Sequence, residues 1–187
     1  MPPTASSSRL TAAGFERDCG LCTLRPFTPA DAAAIAPLLN DRAVWLNLSD
    51  RIPHPYLQEH AEAFISAAMR REPAENFAIW ADDRLVGGIG LVPGEGVNRV
   101  SAEVGYWLGR PFWGRGIMTS ALREMTRYAM ERLEYTRLFA LVFAHNTGSI
   151  RTLEKAGYVR EGFMKQSAIK DGVIHDEYLY GWYRDRG

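Results

Sequence analysis

The segment from Trp113 to Thr119 has the sequence Trp-Gly-Arg-Gly-Ile-Met-Thr, and it constrains the fold of this chain more than any other part. An apolar, strand-like stretch at residues 104–108 precedes it, and a helical pattern follows to about Glu131. Glycines in a turn between a strand and a helix let the backbone approach a ligand closely. The first N–H groups of the helix lack partners within it, and the helix dipole adds roughly half a positive charge. This arrangement predicts a binding site for a phosphorylated ligand.

Composition and charge are those of an ordinary globular chain. The 187 residues include 22 basic and 22 acidic side chains, so the formal net charge is zero. That balance argues against binding through bulk electrostatics, and we expect no nucleic-acid partner. The longest apolar run, at residues 138–144, is far too short to span a membrane. We therefore expect no membrane partner and a cytoplasmic location.

A chain of this length is expected to form one domain. Residues 1–14 are rich in Pro, Ser, Thr and Ala, and they contain no apolar run of the kind found in a signal peptide. We expect residues 1–18 to form a mobile N-terminal tail and residues 19–187 to form a single domain.

The two cysteines, Cys19 and Cys22, have the C-x-x-C spacing of a redox pair or of half a zinc site. A zinc site needs two more ligands, and the sequence contains no other cysteine. A redox pair of this kind opens a helix, whereas residues 21–24 have the pattern of a strand. We interpret both cysteines as ordinary small apolar residues.

Hydrophobic periodicity predicts an α/β (α+β) fold, with a mixed, mostly antiparallel sheet of about seven strands and helices on both faces. Thr28, Pro29 and Asp31 form a helix-start signal, and Gly157 stands where a helix is expected to end. The predicted strands are residues 21–25, 77–80, 85–92, 99–108, 137–143, 158–169 and 175–183, and the predicted helices are residues 29–39, 41–46, 57–71, 117–131 and 146–156.

Three kinds of glycine turn bind phosphates, and the sequence distinguishes among them. A Walker loop ends in Gly-Lys-Ser/Thr, whereas this loop continues as Arg115-Gly116-Ile117. A dinucleotide fingerprint needs a third glycine after the first strand of a parallel unit, and here Thr119 stands at that place. The third kind is a loop for the pyrophosphate of coenzyme A.

Two motifs, in this order and spacing, favour the third kind. Residues 103–116 have the sequence Glu-Val-Gly-Tyr-Trp-Leu-Gly-Arg-Pro-Phe-Trp-Gly-Arg-Gly, which resembles the acetyl-CoA motif of the GNAT N-acetyltransferases. Residues 146–149 (Asn-Thr-Gly-Ser) and 154–158 (Glu-Lys-Ala-Gly-Tyr) resemble the second motif of that superfamily. The resemblance extends over about residues 21–183 and is strongest to the branch that acetylates the N-termini of ribosomal proteins. It implies the GNAT fold and acetyl-CoA as cosubstrate, without a metal.

The chain departs from the family pattern at three positions. Trp113 stands where most relatives have Gln or Arg, and Met118 stands at the last small position of the loop. An aromatic residue at the first of these is typical of the ribosomal-protein branch. Many relatives have a catalytic Tyr where this chain has Leu153, so a proton for the leaving thiolate must come from another group.

The resemblance implies a role for each residue of the two motifs. Glu103 is the expected general base for the attacking amine, and Ser149 the expected proton donor to the leaving thiolate. The strand end is expected to splay from its neighbour and to pair with the pantetheine, with a bulge at Gly105. From the residues alone, two simpler interpretations stay open: Glu103 faces solvent, and Ser149 is an ordinary residue of the first helical turn. The expected cosubstrate-binding residues are Tyr106, Trp107, Leu108, Trp113, Gly114, Arg115, Gly116, Ile117, Met118, Thr119, Asn146 and Ser149.

The acceptor is expected to be a primary amine that takes the acetyl group directly in a ternary complex, because no cysteine nucleophile stands near the loop. The pKa of an α-amino group is about 2.5 units below that of lysine, a difference of about 3.4 kcal/mol, which favours a protein N-terminus with a weak carboxylate base. A small amine (a polyamine, amino acid or aminoglycoside) and a non-catalytic acyl-CoA sensor are the alternatives. The substrate cleft is expected to involve Trp45, His54, Tyr56 and His175, in a monomer or homodimer.

Overall fold

The computed structural model describes residues 8–11 and 14–184. Within them, nine strands form one sheet in the order β1-β2-β3-β4-β5-β6-β7-β9-β8. The strands are β1 (Ser8–Thr11), β2 (Gly14–Asp18), β3 (Thr23–Pro26), β4 (Asn76–Ala81), β5 (Arg84–Pro93), β6 (Ser101–Leu108), β7 (Arg137–Phe143), β8 (Val159–Lys170) and β9 (Val173–Tyr183). The helices are α1 (Ala32–Leu39), α2 (Arg42–Trp45), α3 (Gln58–Ala68), α4 (Ile117–Glu131) and α5 (Thr147–Lys155), with 3-10 turns at Pro29–Asp31, Gly96–Asn98 and Arg110–Phe112.

The parallel pairing of β6 with β7 interrupts an otherwise antiparallel sheet. Its register joins only residues 101–103 of β6 to residues 137–139 of β7. Beyond that point β6 continues along β5 to Leu108, while β7 continues along β9 to Phe143. The two central strands therefore diverge and leave a gap in the middle of the sheet.

Helices cover both faces of the sheet, and each face has its own core. On one face α4 buries Ile117, Leu122 and Met125 against β5, β6 and β7. On the other face α1 and α3 bury Ile35 and Ile65 against strand residues that alternate with the first set. The mixed sheet with helices on both faces confirms the predicted fold class.

The N-terminal boundary differs from the prediction. Residues 1–7 and 12–13 of the expected tail lie outside the described residues, but residues 14–18 form strand β2 and pair with β3. The Arg17 side chain, only 5% exposed, forms an ion pair with Glu124 of α4. This short, largely polar strand lies between β1 and β3 and carries little hydrophobic periodicity, so the pattern alone misses it. β1 and β2 account for the two strands beyond the expected seven.

Gly105 forms no bulge with β5, contrary to expectation. The β5–β6 register runs without interruption from the pair Gly87 and Leu108 to the pair Pro93 and Ala102. The register shift nearest to this region lies instead between β4 and β5, at Ile79 and Trp80.

Cys19 and Cys22 are free thiols at the turn into β3. The Cys22 side chain is buried and its thiol donates to the carbonyl oxygen of Ile117 at 3.8 Å. A hydrogen-bonding interaction with Cys22 and burial raise the pKa of the Cys19 thiol, which keeps it protonated and unreactive at neutral pH. Among the described residues, the structure contains no helix of the length and hydropathy needed to cross a membrane.

Candidate active site

The glycine loop has the geometry of an anion-binding turn. Gly114 and Gly116 have φ values of +74° and +79°, which side chains other than that of glycine rarely adopt. Gly116 is the N-cap of α4, and the Ser120 amide makes its first helical bond, to the Gly116 carbonyl oxygen at 3.1 Å. The amides of Ile117, Met118 and Thr119 therefore precede the helical ladder and face outward at the positive end of the dipole.

Side chains of the loop hold it in place from two sides. The indole Nε1 of Trp113 donates to the carbonyl oxygen of Leu108 at 2.7 Å, which anchors the loop to the end of β6. The Arg115 guanidinium pairs with Asp82 of the β4–β5 turn at 2.9 Å. Ile117 and Met118 are buried in the core below the loop, so the larger Met118 serves packing and leaves its backbone N–H outward.

Backbone groups of β6 point into the gap between β6 and β7. The Gly109 amide donates to the Val86 carbonyl oxygen of β5 at 2.8 Å, so Gly109 faces β5. The backbone N–H and C=O groups of successive strand residues point to opposite neighbours. The backbone groups of Trp107 therefore also point to β5, whereas those of Tyr106 and Leu108 point into the gap. The extended segment at residues 104–108 therefore presents the free edge along which another extended chain can pair.

Glu103 stands where the two central strands part. It pairs with Phe139 of β7, and this is the last position of the parallel register. Its side chain is half-buried. By strand alternation it shares a sheet face with Trp107, which packs against the core beneath α1 and α3. The predicted base thus lies at the apex of the gap, on the face opposite α4.

Tyr106 and Ser149 meet across the gap. The Tyr106 hydroxyl lies 2.7 Å from Ser149 Oγ, and burial raises the pKa of Tyr106 to about 12 despite the opposing effect of that hydrogen bond. Asn146 caps α5, because its Oδ1 accepts a hydrogen bond from the Ser149 amide at 3.0 Å. Leu153 is fully buried in the core one turn further along α5. The structure thus gathers Tyr106, Asn146 and Ser149, and the Tyr106 hydroxyl is the group that sequence reasoning missed.

The four expected cleft residues fall in three places. Trp45 stacks on His54 with ring centroids 4.6 Å apart, and both line a cavity of about 430 Å³. His175 lines a separate cavity of about 400 Å³ beside His145, whose ring centroid is 4.8 Å away. Tyr56 lies apart from both cavities: the residue is 4% exposed and belongs to the core beneath α1 and α3.

A buried lysine joins the first cavity to the β8–β9 hairpin. Lys170 is 1% exposed, and its Nζ donates to Asp50 Oδ1 at 2.8 Å while lying 3.8 Å from the centroid of the Trp45 ring. Its neighbour Asp171 pairs with Arg42 of α2. These contacts fix the α2–α3 segment against the hairpin tip, which no periodicity in the sequence indicated.

His145 in the second cavity has a lowered pKa, which favours its neutral form near neutral pH. Burial and the neighbouring His175 lower the pKa of His145. Among residues 8–11 and 14–184, the structure contains no group of three or more His, Cys, Asp or Glu side chains that could hold a metal ion.

A gap between two splayed central strands, flanked by a glycine loop at a helix N-terminus, defines the class of protein. Residues 22–159 match the family model described as an acetyltransferase (GNAT) domain. The chain therefore belongs to the GNAT acetyltransferase family, whose members transfer acetyl groups to amines.

Curated relatives agree with this assignment. YdaF of Bacillus subtilis (strain 168), a ribosomal N-acetyltransferase by provisional name, is 32% identical over 84% of this chain and 88% of its own length. The ribosomal-protein-serine acetyltransferase of Escherichia coli (strain K12) is 30% identical over 59% of this chain and 61% of its own length.

Solved structures share the fold. The RimL ribosomal L7/L12 α-N-protein acetyltransferase in complex with coenzyme A superposes with a TM-score of 0.76 at 22% identity, covering 88% of this chain and 94% of that one. The ribosomal-protein-S5-alanine acetyltransferase from Vibrio fischeri has a TM-score of 0.81 at 19% identity, covering 91% and 97%.

Proposed function

We propose that this protein transfers the acetyl group of acetyl-CoA directly to the α-amine of a protein N-terminus, of the ribosomal-protein type. The observation that supports it most is the end of the β6–β7 register at Glu103. The resulting gap is open at residues 104–108 and lies beside the glycine loop. A long thioester fits this geometry, with its pyrophosphate at the loop and its acetyl group in the gap, pointing toward the apex.

Backbone groups supply most of the donor site. The outward amides of residues 117–119 suit a pyrophosphate, and hydrogen bonds to charged groups are worth about 1.5 to 3 kcal/mol each. The gap-facing carbonyl oxygen and amide of Tyr106 suit the amides of pantetheine. The Oδ1 of Asn146 is engaged by the Ser149 amide, so its NH2 group is left for the pantetheine.

The chemistry needs a base, an acid and a donor for the carbonyl oxygen. Glu103 at the apex takes the proton of the attacking amine and passes it to solvent. The Leu108 amide, which faces the gap, stabilises the charge that develops on the carbonyl oxygen. As the C–N bond forms and the C–S bond breaks, the electron pair stays on sulfur. The sulfur takes the Ser149 proton, and solvent restores it.

The chemistry at Glu103 favours an N-terminal α-amine over a lysine side chain as the acceptor. A single carboxylate base removes a proton more readily from a group of pKa near 8 than from one near 10.4. Glu103 faces away from α4, toward the sheet face that α1 and α3 cover in part, so donor and acceptor would enter from opposite faces. The relatives named as ribosomal-protein acetyltransferases favour the same acceptor class.

A substrate panel tests the proposal. Purified protein with acetyl-CoA is given peptides with free N-termini, the same peptides with blocked N-termini and one internal lysine, and small amines. Mass spectrometry locates the acetyl group, and CoA release gives the rate. Acetylation of free N-termini that falls at least about 100-fold in Glu103→Gln is the expected result.

Two other results of this experiment would support the alternative functions. Turnover confined to polyamines, amino acids or aminoglycosides would replace the proposal by a small-molecule acetyltransferase. Tight binding of acetyl-CoA without turnover of any amine would identify an acyl-CoA sensor.

A further inference from the structure

The two hydroxyls that meet across the gap differ in acidity, and this determines which one donates. Tyr106 lies on β6 and Ser149 on α5, 43 positions apart in the chain, and their oxygens are 2.7 Å apart. A phenol is a stronger acid than an aliphatic hydroxyl and is the better hydrogen-bond donor. The favoured arrangement has Tyr106 donating to a lone pair of Ser149 Oγ.

Ser149 is held from a second direction as well. Its backbone amide donates to Asn146 Oδ1, which fixes the first turn of α5. With one lone pair occupied by Tyr106, the remaining freedom of the Ser149 hydroxyl is the direction of its own hydrogen. That hydrogen can then turn into the gap, where the proposed function places the sulfur of the donor.

We propose that Tyr106 is a positioning residue that directs the Ser149 hydroxyl hydrogen toward the leaving sulfur. This inference rests on the proposed function. When the C–S bond breaks and sulfur takes the Ser149 proton, negative charge develops on Ser149 Oγ. The hydrogen bond from Tyr106 strengthens at that moment and stabilises this charge. Tyr106 keeps its proton throughout, and solvent returns one proton to Ser149.

Tyr158 provides a matched control. It is a buried tyrosine, and its hydroxyl lies 2.8 Å from Thr126 Oγ1, on the core side of α4. Tyr106→Phe and Tyr158→Phe therefore each remove one phenolic hydroxyl bonded to an aliphatic hydroxyl. Only Tyr106→Phe removes the hydroxyl that is bonded to Ser149.

The test measures kcat and KM for acetyl-CoA in Tyr106→Phe, Ser149→Ala, the double variant and Tyr158→Phe, with any amine that the wild type acetylates. Tyr106→Phe should lower kcat about tenfold, the value of one charge-assisted hydrogen bond, with KM within about twofold. The double variant should be no slower than Ser149→Ala alone, because the two groups act as a unit. Tyr158→Phe should keep the wild-type kcat and lower only the melting temperature.

The outcomes separate this inference from the proposed function. An unchanged kcat in Tyr106→Phe, or additive losses in the double variant, overturns the role of Tyr106 while the wild-type activity stands. A wild type without activity toward any amine overturns both. If Tyr106→Phe does not fold, 3-fluorotyrosine at position 106 keeps the ring and hydroxyl while strengthening the donor. A kcat unaltered by that replacement also overturns the inference.

Discussion

The indole nitrogen of Trp113 donates a hydrogen bond to the carbonyl oxygen of Leu108, 2.7 Å away. This carbonyl faces the gap because its residue alternates with Gly109, which bonds to β5. The bond joins the glycine loop to the strand end that the proposed pantetheine site uses. Trp113 therefore contributes to donor binding through its position at the loop, although its side chain is 45% exposed.

Trp113→Phe should weaken acetyl-CoA binding about fivefold, because one hydrogen bond worth about 1 kcal/mol is lost while most of the aromatic surface remains. The melting temperature should fall little. Isothermal titration calorimetry with acetyl-CoA measures the effect. Binding as tight as in the wild type would show that the loop keeps its geometry without the bond.

Gly116→Ala should cost about 1 to 2 kcal/mol of stability, since its φ of +79° is the left-handed region. It should also lower the affinity for acetyl-CoA at least about tenfold, because any relief of strain turns the loop amides away. Gly96→Ala is the matched control, with a φ of +57° and open space around the added methyl group. If both variants bind acetyl-CoA alike, the backbone at Gly116 is not part of the donor site.

Arg17→Met should lower the free energy of unfolding by about 3 kcal/mol, because it leaves the buried Glu124 without one of its two partners. Arg42→Met is the control, since its pair with Asp171 is exposed and worth at most about 1 kcal/mol. Urea unfolding measures both. If both variants lower the free energy of unfolding by the same small amount, residues 14–18 contribute little to stability, as expected of a tail.

Lys170→Met should raise the KM for the peptide acceptor about threefold to tenfold and leave the KM for acetyl-CoA unchanged. The methionine keeps the volume of the stem but loses the bond to Asp50 and the contact with Trp45, so the wall of the cavity loosens. Arg160→Met, an exposed change on the same strand, should alter neither constant. An unchanged acceptor KM in Lys170→Met would remove this cavity from the acceptor site.

Above pH 10, the free energy of unfolding should fall more steeply in the wild type than in Tyr106→Phe. The ordinary tyrosine pKa of 10 holds in the unfolded chain, and burial raises it to about 12 in the folded one. The folded state therefore favours the protonated phenol, and the stabilisation is complete below pH 10 and is lost between pH 10 and 12. Urea unfolding at pH 8, 10 and 11 measures the change. Tyr183→Phe, at an exposed tyrosine, should follow the wild type, and parallel curves for wild type and Tyr106→Phe would contradict the expectation.

Local signals in the sequence predicted the elements of the site. The glycines at 114 and 116 are required by the left-handed backbone of the turn, and α4 follows from a 3.6-residue pattern. Asn146 is a residue type that favours helix N-caps, and its partner is the amide only three residues ahead. Interactions of this kind span at most four residues, so the sequence order itself brings the partners together.

Contacts between distant residues could not be predicted in the same way. The polar strand β2 lacked periodicity, and its place in the sheet depends on a partner in α4, 107 residues away. Tyr56 was expected in the substrate cleft, but it is buried in the core because α1 and α3 close over it. The bulge expected at Gly105 is absent because the divergence occurs on the β7 side, where the parallel register ends.

The sequence by itself determined the family, the glycine loop and the helix caps, because these depend on short-range backbone chemistry. Only the tertiary structure decided that Tyr106 meets Ser149, that Lys170 is buried against Asp50, and that the gap opens at Glu103. These relationships depend on the order and register of strands, and strand order is set by the burial of whole faces rather than by any single segment.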